Sequence, residues 1–125
     1  MGNCGSCAKA SEKREKLVMG CAGGSNLGQI SNRLMVLLKE REGLRPYCLA
    51  GVGAELEQFI KTSKELETVV IDGCAVGCGK KIFEKNGITA EHYFVVSDMG
   101  IEKSYNYDMV EKDTEIVYNE IVKKI

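Results

Sequence analysis

Tryptophan is absent from this sequence of 125 residues, proline and histidine each occur once, and the charges almost cancel. The 17 Lys and Arg against 18 Asp and Glu leave a net charge of −1, without the basic surplus that phosphate binding requires. The 5 Tyr and 3 Phe provide few platforms for stacking bases. The longest apolar runs are about five residues, whereas a membrane-spanning helix needs about 20. We therefore expect neither nucleic acid as the main partner nor a transmembrane segment.

Glycine and cysteine are unusually abundant, with 14 and 6 residues. So much glycine beside one proline predicts tight turns rather than a linker. The opening segment, MGNCGSCAKASEKREK, lacks the apolar stretch of a secretory signal, so we expect a cytoplasmic protein. Because that compartment is reducing, cysteines there are more often metal ligands or redox groups than disulfides.

Apolar runs and helical periodicities alternate along the chain after a polar segment, residues 1–15, that we predict to be a mobile tail. Pro46 cannot donate to a sheet ladder, which places its strand at an edge. Asn26 is the expected N-cap of the first helix and Gly43 its expected end. Residues 16–125 are predicted to form one small doubly wound α/β sandwich, Rossmann- or flavodoxin-like, with about four mostly parallel strands in the order 2-1-3-4. The patterns predict strands over 16–21, 45–50, 67–72 and 92–97, and helices over 26–42, 54–63, 78–86 and 108–125.

Cysteines recur at the same phase of successive strand–helix units. Cys21, Cys48 and Cys74 are separated by 27 and 26 residues, so each falls at or just beyond the carboxyl end of a strand. Parallel strands lie about 4.8 Å apart and their carboxyl ends line one crevice, so we expect these thiols to converge. Cys78, in the first turn of the next helix, would add a fourth. Four thiolates suit a tetrahedral Zn²⁺ site, and the same donors would suit an iron–sulfur cluster.

The cysteines also admit other interpretations. One cysteine at a strand end is commonly a small core residue without chemical function. A thiol enzyme, redox or transferase-like, could use Cys78 or Cys21 as an activated nucleophile. Cys4 and Cys7 form a CxxC in the polar tail and receive no assigned role.

The sequence resembles two phosphate-binding motifs but lacks residues that each of them requires. Six residues after Cys21 stands Leu27, where the loop of a low-molecular-weight phosphatase has arginine. The stretch 73–80 resembles a P-loop, yet that motif needs glycine at Cys74 and a hydroxyl residue at Lys81. Nucleotide binding through this loop is therefore not expected.

Two aspartates follow strands at the same edge of the predicted sheet. Asp72 and Asp98 are candidates for groups that support a ligand or act as a general base, or else for turn-forming residues. The single histidine, His92, begins a strand at the opposite end and is expected at the surface.

The tripeptide Asp72-Gly73-Cys74 lies in a set of segments that resembles the DGC-domain proteins, a family of small prokaryotic proteins named for it and associated with zinc binding. The resemblance runs from about residue 16 to residue 104. It includes CAGGSNLGQISN (21–32), CLAGVGAELEQFI (48–60), DGCAVGCGKKIFEKNG (72–87) and VVSDMGIEK (95–103). It implies four chelating cysteines, which fall here on Cys21, Cys48, Cys74 and Cys78. It implies no particular reaction, and it does not include Cys4 or Cys7.

Overall fold

A sheet of parallel strands in the order β2-β1-β3-β4 forms the centre of the computed structural model, which describes residues 15–125. The strands of that part of the chain are β1 (Lys16–Gly20), β2 (Arg45–Pro46), β3 (Glu67–Asp72) and β4 (His92–Val95). Its α-helices are α1 (Asn26–Glu42), α2 (Leu49–Gly53), α3 (Glu57–Glu65), α4 (Cys78–Lys85) and α5 (Val110–Ile121), with short 3₁₀ turns at Val96–Met99 and Val122–Lys124. The predicted α/β class and strand order are confirmed. The tail predicted at residues 1–15 lies, except for Glu15, outside the described residues.

Side chains of the two central strands alternate between the two sides of the sheet, and helices cover both sides. Val18 and Val69, which are partners in the parallel ladder, pack under α1 and α5. Met19 and Val70, the next pair, pack under α2, α3 and α4. All four are fully buried. These strands are continuous apolar runs in the sequence because neither face of the sheet meets water.

Helix α1 is capped differently from the prediction. Ser25, not Asn26, is the N-cap, and its hydroxyl accepts a hydrogen bond from the Gly28 amide at 3.4 Å. The prediction of Asn26 is wrong because that side chain is hydrogen-bonded to the backbone of residues 102–104 instead. Gly43 ends the helix at φ 77°, a left-handed conformation that favours glycine, as predicted.

The second strand is much shorter than the predicted range of 45–50. It holds the expected edge position, but β2 contains only two residues. The Tyr47 amide still bonds to the Val18 carbonyl at 3.0 Å, and the chain then turns into α2 with Cys48 as its N-cap. Because α2 takes up the following residues, the helix predicted over 54–63 begins and ends later, as α3.

The carboxyl-terminal third follows the predicted pattern with shifted ends. The strand predicted over 92–97 stops at Val95, because Val96–Met99 form a 3₁₀ turn. The Ser97 amide still bonds the Gly73 carbonyl at 3.1 Å. The last helix, expected from residue 108, begins at Val110. None of the helices formed by residues 15–125 has the length and apolar character needed to span a bilayer.

Candidate functional site

Four cysteines stand at the carboxyl ends of the strands. Cys21 follows β1, Cys48 lies between β2 and α2, Cys74 follows β3 by two residues, and Cys78 is the first residue of α4. All four are free thiols. Cys21 and Cys74 are half-buried, whereas Cys48 and Cys78 are exposed. We call this edge of the sheet the cysteine rim.

Cys21 is half-buried, and both its backbone amide and its carbonyl are hydrogen-bonded. Its amide donates to the Ile71 carbonyl at 2.9 Å, and its carbonyl accepts from the hydroxyl of Ser31. Burial raises the pKa of the Cys21 thiol, a hydrogen bond from the Gly73 amide opposes that rise, and the charges of Asp72 and Cys78 add to it. Cys21 and Cys78 therefore lie within range of each other's charge.

Cys78 lies at the start of α4, where the buried carboxylate of Asp72 accepts hydrogen bonds from backbone amides. Asp72 is 1% exposed. One oxygen accepts from the Gly79 amide at 2.7 Å, and the other accepts from the Lys80 amide at 3.0 Å and from the Tyr93 hydroxyl at 2.6 Å. Amides at such a position would bind phosphate in a P-loop. Here the Asp72 carboxylate occupies the amides of Gly79 and Lys80.

Cys74 points toward the other side of the sheet. It packs against the core under α1 and α5, and the Lys103 ammonium lies 3.9 Å from its sulfur. Its carbonyl accepts from the Gly77 amide at 3.1 Å, so residues 74–77 form a tight turn before α4. Gly77 has φ 70°, which other residues adopt only with strain.

Cys48 and Cys78 begin two helices that pack against each other. The side chain of Asn86, just after α4, donates to the Val52 carbonyl in α2 at 3.4 Å. A Cβ on Gly53 would lie 3.2 Å from the Ile82 side chain, so the two helices approach closely. Cys48 and Cys78 therefore stand at the same end of neighbouring helices on one face of the sheet.

The structure brings the four predicted ligands to one rim but does not gather them around a point. Within residues 15–125, no three Cys, His, Asp or Glu side chains lie close enough together to hold one metal ion. The charge of Cys78 reaches the Cys21 thiol and helps to raise its pKa, while the Cys74 sulfur lies beside Lys103. As the side chains stand, a four-thiolate site requires the rim loops to move.

One segment connects the cysteine rim with the start of α1, and the sequence patterns did not predict it. Residues 100–109, which we call the strap, cross the loop after β1. The Asn26 side chain donates to the Glu102 carbonyl at 2.9 Å and accepts from the Ser104 amide at 2.8 Å. The Tyr107 hydroxyl donates to the Gly24 carbonyl. The strap thereby places Lys103 beside Cys74, and only the likeness of VVSDMGIEK to the family segments pointed to this region.

The fold and the cysteine rim define a small α/β protein with free thiols at the carboxyl ends of its strands. The family model described as DGC domain matches residues 17–121, so the chain belongs to the DGC-domain family. It is 26% identical over 106 residues to the anaerobic and virulence modulator AnvM of Pseudomonas aeruginosa, over 84% of this chain and 81% of that protein. No solved structure gives a significant match.

Proposed function

We propose that this DGC-domain protein binds a thiophilic metal ion, zinc in the first place, through Cys21, Cys48, Cys74 and Cys78. The observation that carries the proposal is that four free thiols stand at one edge of the sheet. Thiolates are the donors that zinc prefers for a closed site. A zinc ion held by thiolates would cross-link the rim loops and so stabilise the fold.

Binding requires Cys48 and Cys74 to approach the Cys21–Cys78 pair. Cys48 is exposed and lies between a two-residue strand and a five-residue helix, so little packing opposes its movement. Cys74 lies in the turn between Gly73 and α4 and is half-buried. Metal binding is therefore coupled to a local rearrangement of the loops, and the free energy of that rearrangement lowers the affinity.

Positive charge at the cysteine rim favours several thiolates in one place. Four thiolates and one Zn²⁺ leave a net charge of −2, because each deprotonated sulfur contributes −1. Lys103 lies 3.9 Å from the Cys74 sulfur, and Lys80 follows Cys78 in the first turn of α4. These ammonium groups offset part of that charge. The location in a reducing cytoplasm that we predict would keep the thiols available.

The relative AnvM is named as an anaerobic and virulence modulator. We extend a modulating role to this chain as part of the proposal. In a modulator of this kind, gain or loss of the bound ion changes the conformation of the rim loops, which a partner protein could detect. Oxidation of a ligating thiolate releases its metal, so such a site responds to oxidants as well as to the metal.

Thiol chemistry without a resident metal is the second candidate function, redox or transferase-like. The observation that favours it is the exposed Cys78 at the first residue of a helix, near the half-buried Cys21. An exposed thiol beside a second thiol is typical of redox pairs. An iron–sulfur cluster is a third candidate, since it uses the same donors as zinc.

Metal content and competition with a chromogenic chelator test the proposal. Untagged protein is prepared anaerobically as the wild type, as Cys74→Ser, and as a Cys4→Ser/Cys7→Ser control that keeps the four proposed ligands. We expect about one zinc per chain in the wild type and the control, and an affinity at least roughly tenfold lower in Cys74→Ser. Substoichiometric metal that Cys74→Ser leaves unchanged would contradict the proposal.

The same preparation separates the alternatives. Visible absorbance of the anaerobic protein would indicate an iron–sulfur cluster. Rapid iodoacetamide labelling of one thiol at about pH 6 would favour the thiol enzyme, because only an activated thiol is nucleophilic there. Protection of the rim thiols that a chelator reverses would favour the metal site.

A further inference from the structure

Helix α4 is short and begins without a capping side chain of its own. It contains eight residues, fewer than an isolated helix needs to be stable in water. Its N-cap is Gly77, which has no side chain, and its first turn contains no acidic residue. The first amides of such a helix need acceptors from elsewhere in the fold.

Asp72, six residues before Cys78, supplies those acceptors from the end of β3. Its two oxygens accept from the amides of Gly79 and Lys80, at 2.7 and 3.0 Å. The carboxylate is buried, so these charge-assisted bonds are little screened by water. Gly79 fits because a Cβ there would lie 2.9 Å from the Asp72 oxygen.

Tyr93, in β4, holds the same carboxylate from the other side. Val70 pairs with Tyr93 in the ladder, so the Tyr93 side chain lies on the face that Asp72 also uses. Burial, with the hydrogen bond to Asp72, raises the pKa of Tyr93, and the phenol remains a donor. The Lys80 ammonium lies 5.8 Å from the centre of the Tyr93 ring, so α4 and β4 are also joined by a cation–π contact.

We propose that Asp72, held by Tyr93, is the positioning residue that fixes Cys78 at the cysteine rim. Cys78 directly precedes Gly79, the residue whose amide Asp72 binds most closely. An asparagine at position 72 could accept only through one atom, and its NH₂ group would meet an N–H or O–H donor. The inference rests on the proposed function, because the position of Cys78 matters only if its thiol is used.

The test compares Asp72→Asn with Tyr93→Phe and with an Asp98→Asn control. Asp98 is an exposed acid at the same edge of the sheet, so its substitution removes equal charge. In metal-free protein, we expect Asp72→Asn to speed hydrogen exchange at the Gly79 and Lys80 amides, since one of them loses its acceptor and the bond to the other is no longer charge-assisted. Tyr93→Phe should do so less, and Asp98→Asn should not. Unchanged exchange in both of the first two variants would overturn the proposal.

Zinc affinity supplies a readout that a merely structural role would not move. We expect Asp72→Asn to weaken binding roughly tenfold and Tyr93→Phe roughly threefold. In a Cys78→Ser background, Asp72→Asn should cause no further loss, because the thiol that it positions is gone. An equal loss in both backgrounds would show general destabilisation and would overturn the proposal. Should Asp72→Asn fail to fold, Tyr93→Phe carries both measurements.

The two proposals fail separately. If the wild type binds no metal, the proposed function fails, while hydrogen exchange in the metal-free variants still decides whether Asp72 orders the start of α4. If the wild type binds zinc and both Asp72→Asn and Tyr93→Phe bind it equally well, the metal site stands and Asp72 does not position its ligand.

Discussion

The two faces of the sheet are built differently. One face carries α1 and α5, of 17 and 12 residues, over the larger hydrophobic cluster. The other carries α2, α3 and α4, of 5, 9 and 8 residues, over a smaller one. Cys48 and Cys78 both begin helices on the short-helix face. The comparison indicates that the α1–α5 face supplies most of the stability, while two of the four rim cysteines, Cys48 and Cys78, belong to the other face.

The helices on the two faces of the sheet also differ in how their ends are capped. Helix α1 begins with a hydroxyl cap at Ser25 and ends at the left-handed Gly43. Helices α2 and α4 begin at Cys48 and Gly77, where no side chain of the described N-cap residue accepts a hydrogen bond. The start of α4 depends instead on the Asp72 carboxylate at the end of β3, which accepts from the Gly79 and Lys80 amides.

The largest expected effect comes from the core of the α1 face. Leu34→Ala removes a fully buried side chain from the middle of α1 and should lower the free energy of unfolding by about 3–4 kcal/mol. Ile82→Ala, in α4, is the matched variant on the short-helix face. Ile82 is only partly buried, so we expect a loss of about 1–2 kcal/mol. Urea denaturation measures both, and equal losses would contradict the proposed division between the faces.

The sequence predicted only part of this architecture. Strand order followed from the alternation of patterns and from Pro46, whose missing amide restricts it to an edge. The length of β2 could not be predicted, because the apolar residues after Pro46 pack equally well in the helix that they form. Nothing local marks Asn26 as the attachment of the strap, since its partners lie 76 and 78 residues away.

The candidate site shows the same limit. The phase of Cys21, Cys48 and Cys74 predicts one edge of the sheet, because strand–helix units repeat at nearly constant length. Phase does not fix where a side chain points, and Cys74 turns toward Lys103 because the strap lies there. The ligand set therefore stays a prediction that only a metal measurement decides.

Substitution of Asn26, which holds the strap, should have an effect on stability between those of the core and surface substitutions. Asn26→Ala removes two hydrogen bonds that are shielded from water and leaves the Ser104 amide without its acceptor, so we expect a loss of about 2 kcal/mol. Hydrogen exchange should become faster at the Ser104 amide. Asn106→Ala, in the same segment, removes one exposed acceptor and is the control with the smaller change. If exchange in the strap is unaffected by Asn26→Ala, the strap is held by other contacts.

The smallest expected effect concerns the surface of the α1–α5 face, where Arg41 and Glu115 form a two-pronged ion pair at 3.0 and 2.8 Å. The Arg41 hydrogen bond holds the pKa of Glu115 below its ordinary value of 4.5. A carboxylate whose pKa is lowered by folding stabilises the folded state above its ordinary pKa, and the stabilisation disappears as the pH falls through the lowered value. Glu115→Gln should therefore lower the melting temperature slightly at pH 7.

The difference from the wild type should vanish at an acidic pH below the lowered pKa of Glu115. It should also shrink in about 1 M salt, because an exposed pair is screened there. Glu111→Gln is the matched control, since Glu111 also links α5 to α1, through a longer contact of 3.7 Å to Arg33. We expect no measurable change from it. If Glu115→Gln lowers the melting temperature equally at both pH values, the side chain contributes through packing rather than charge.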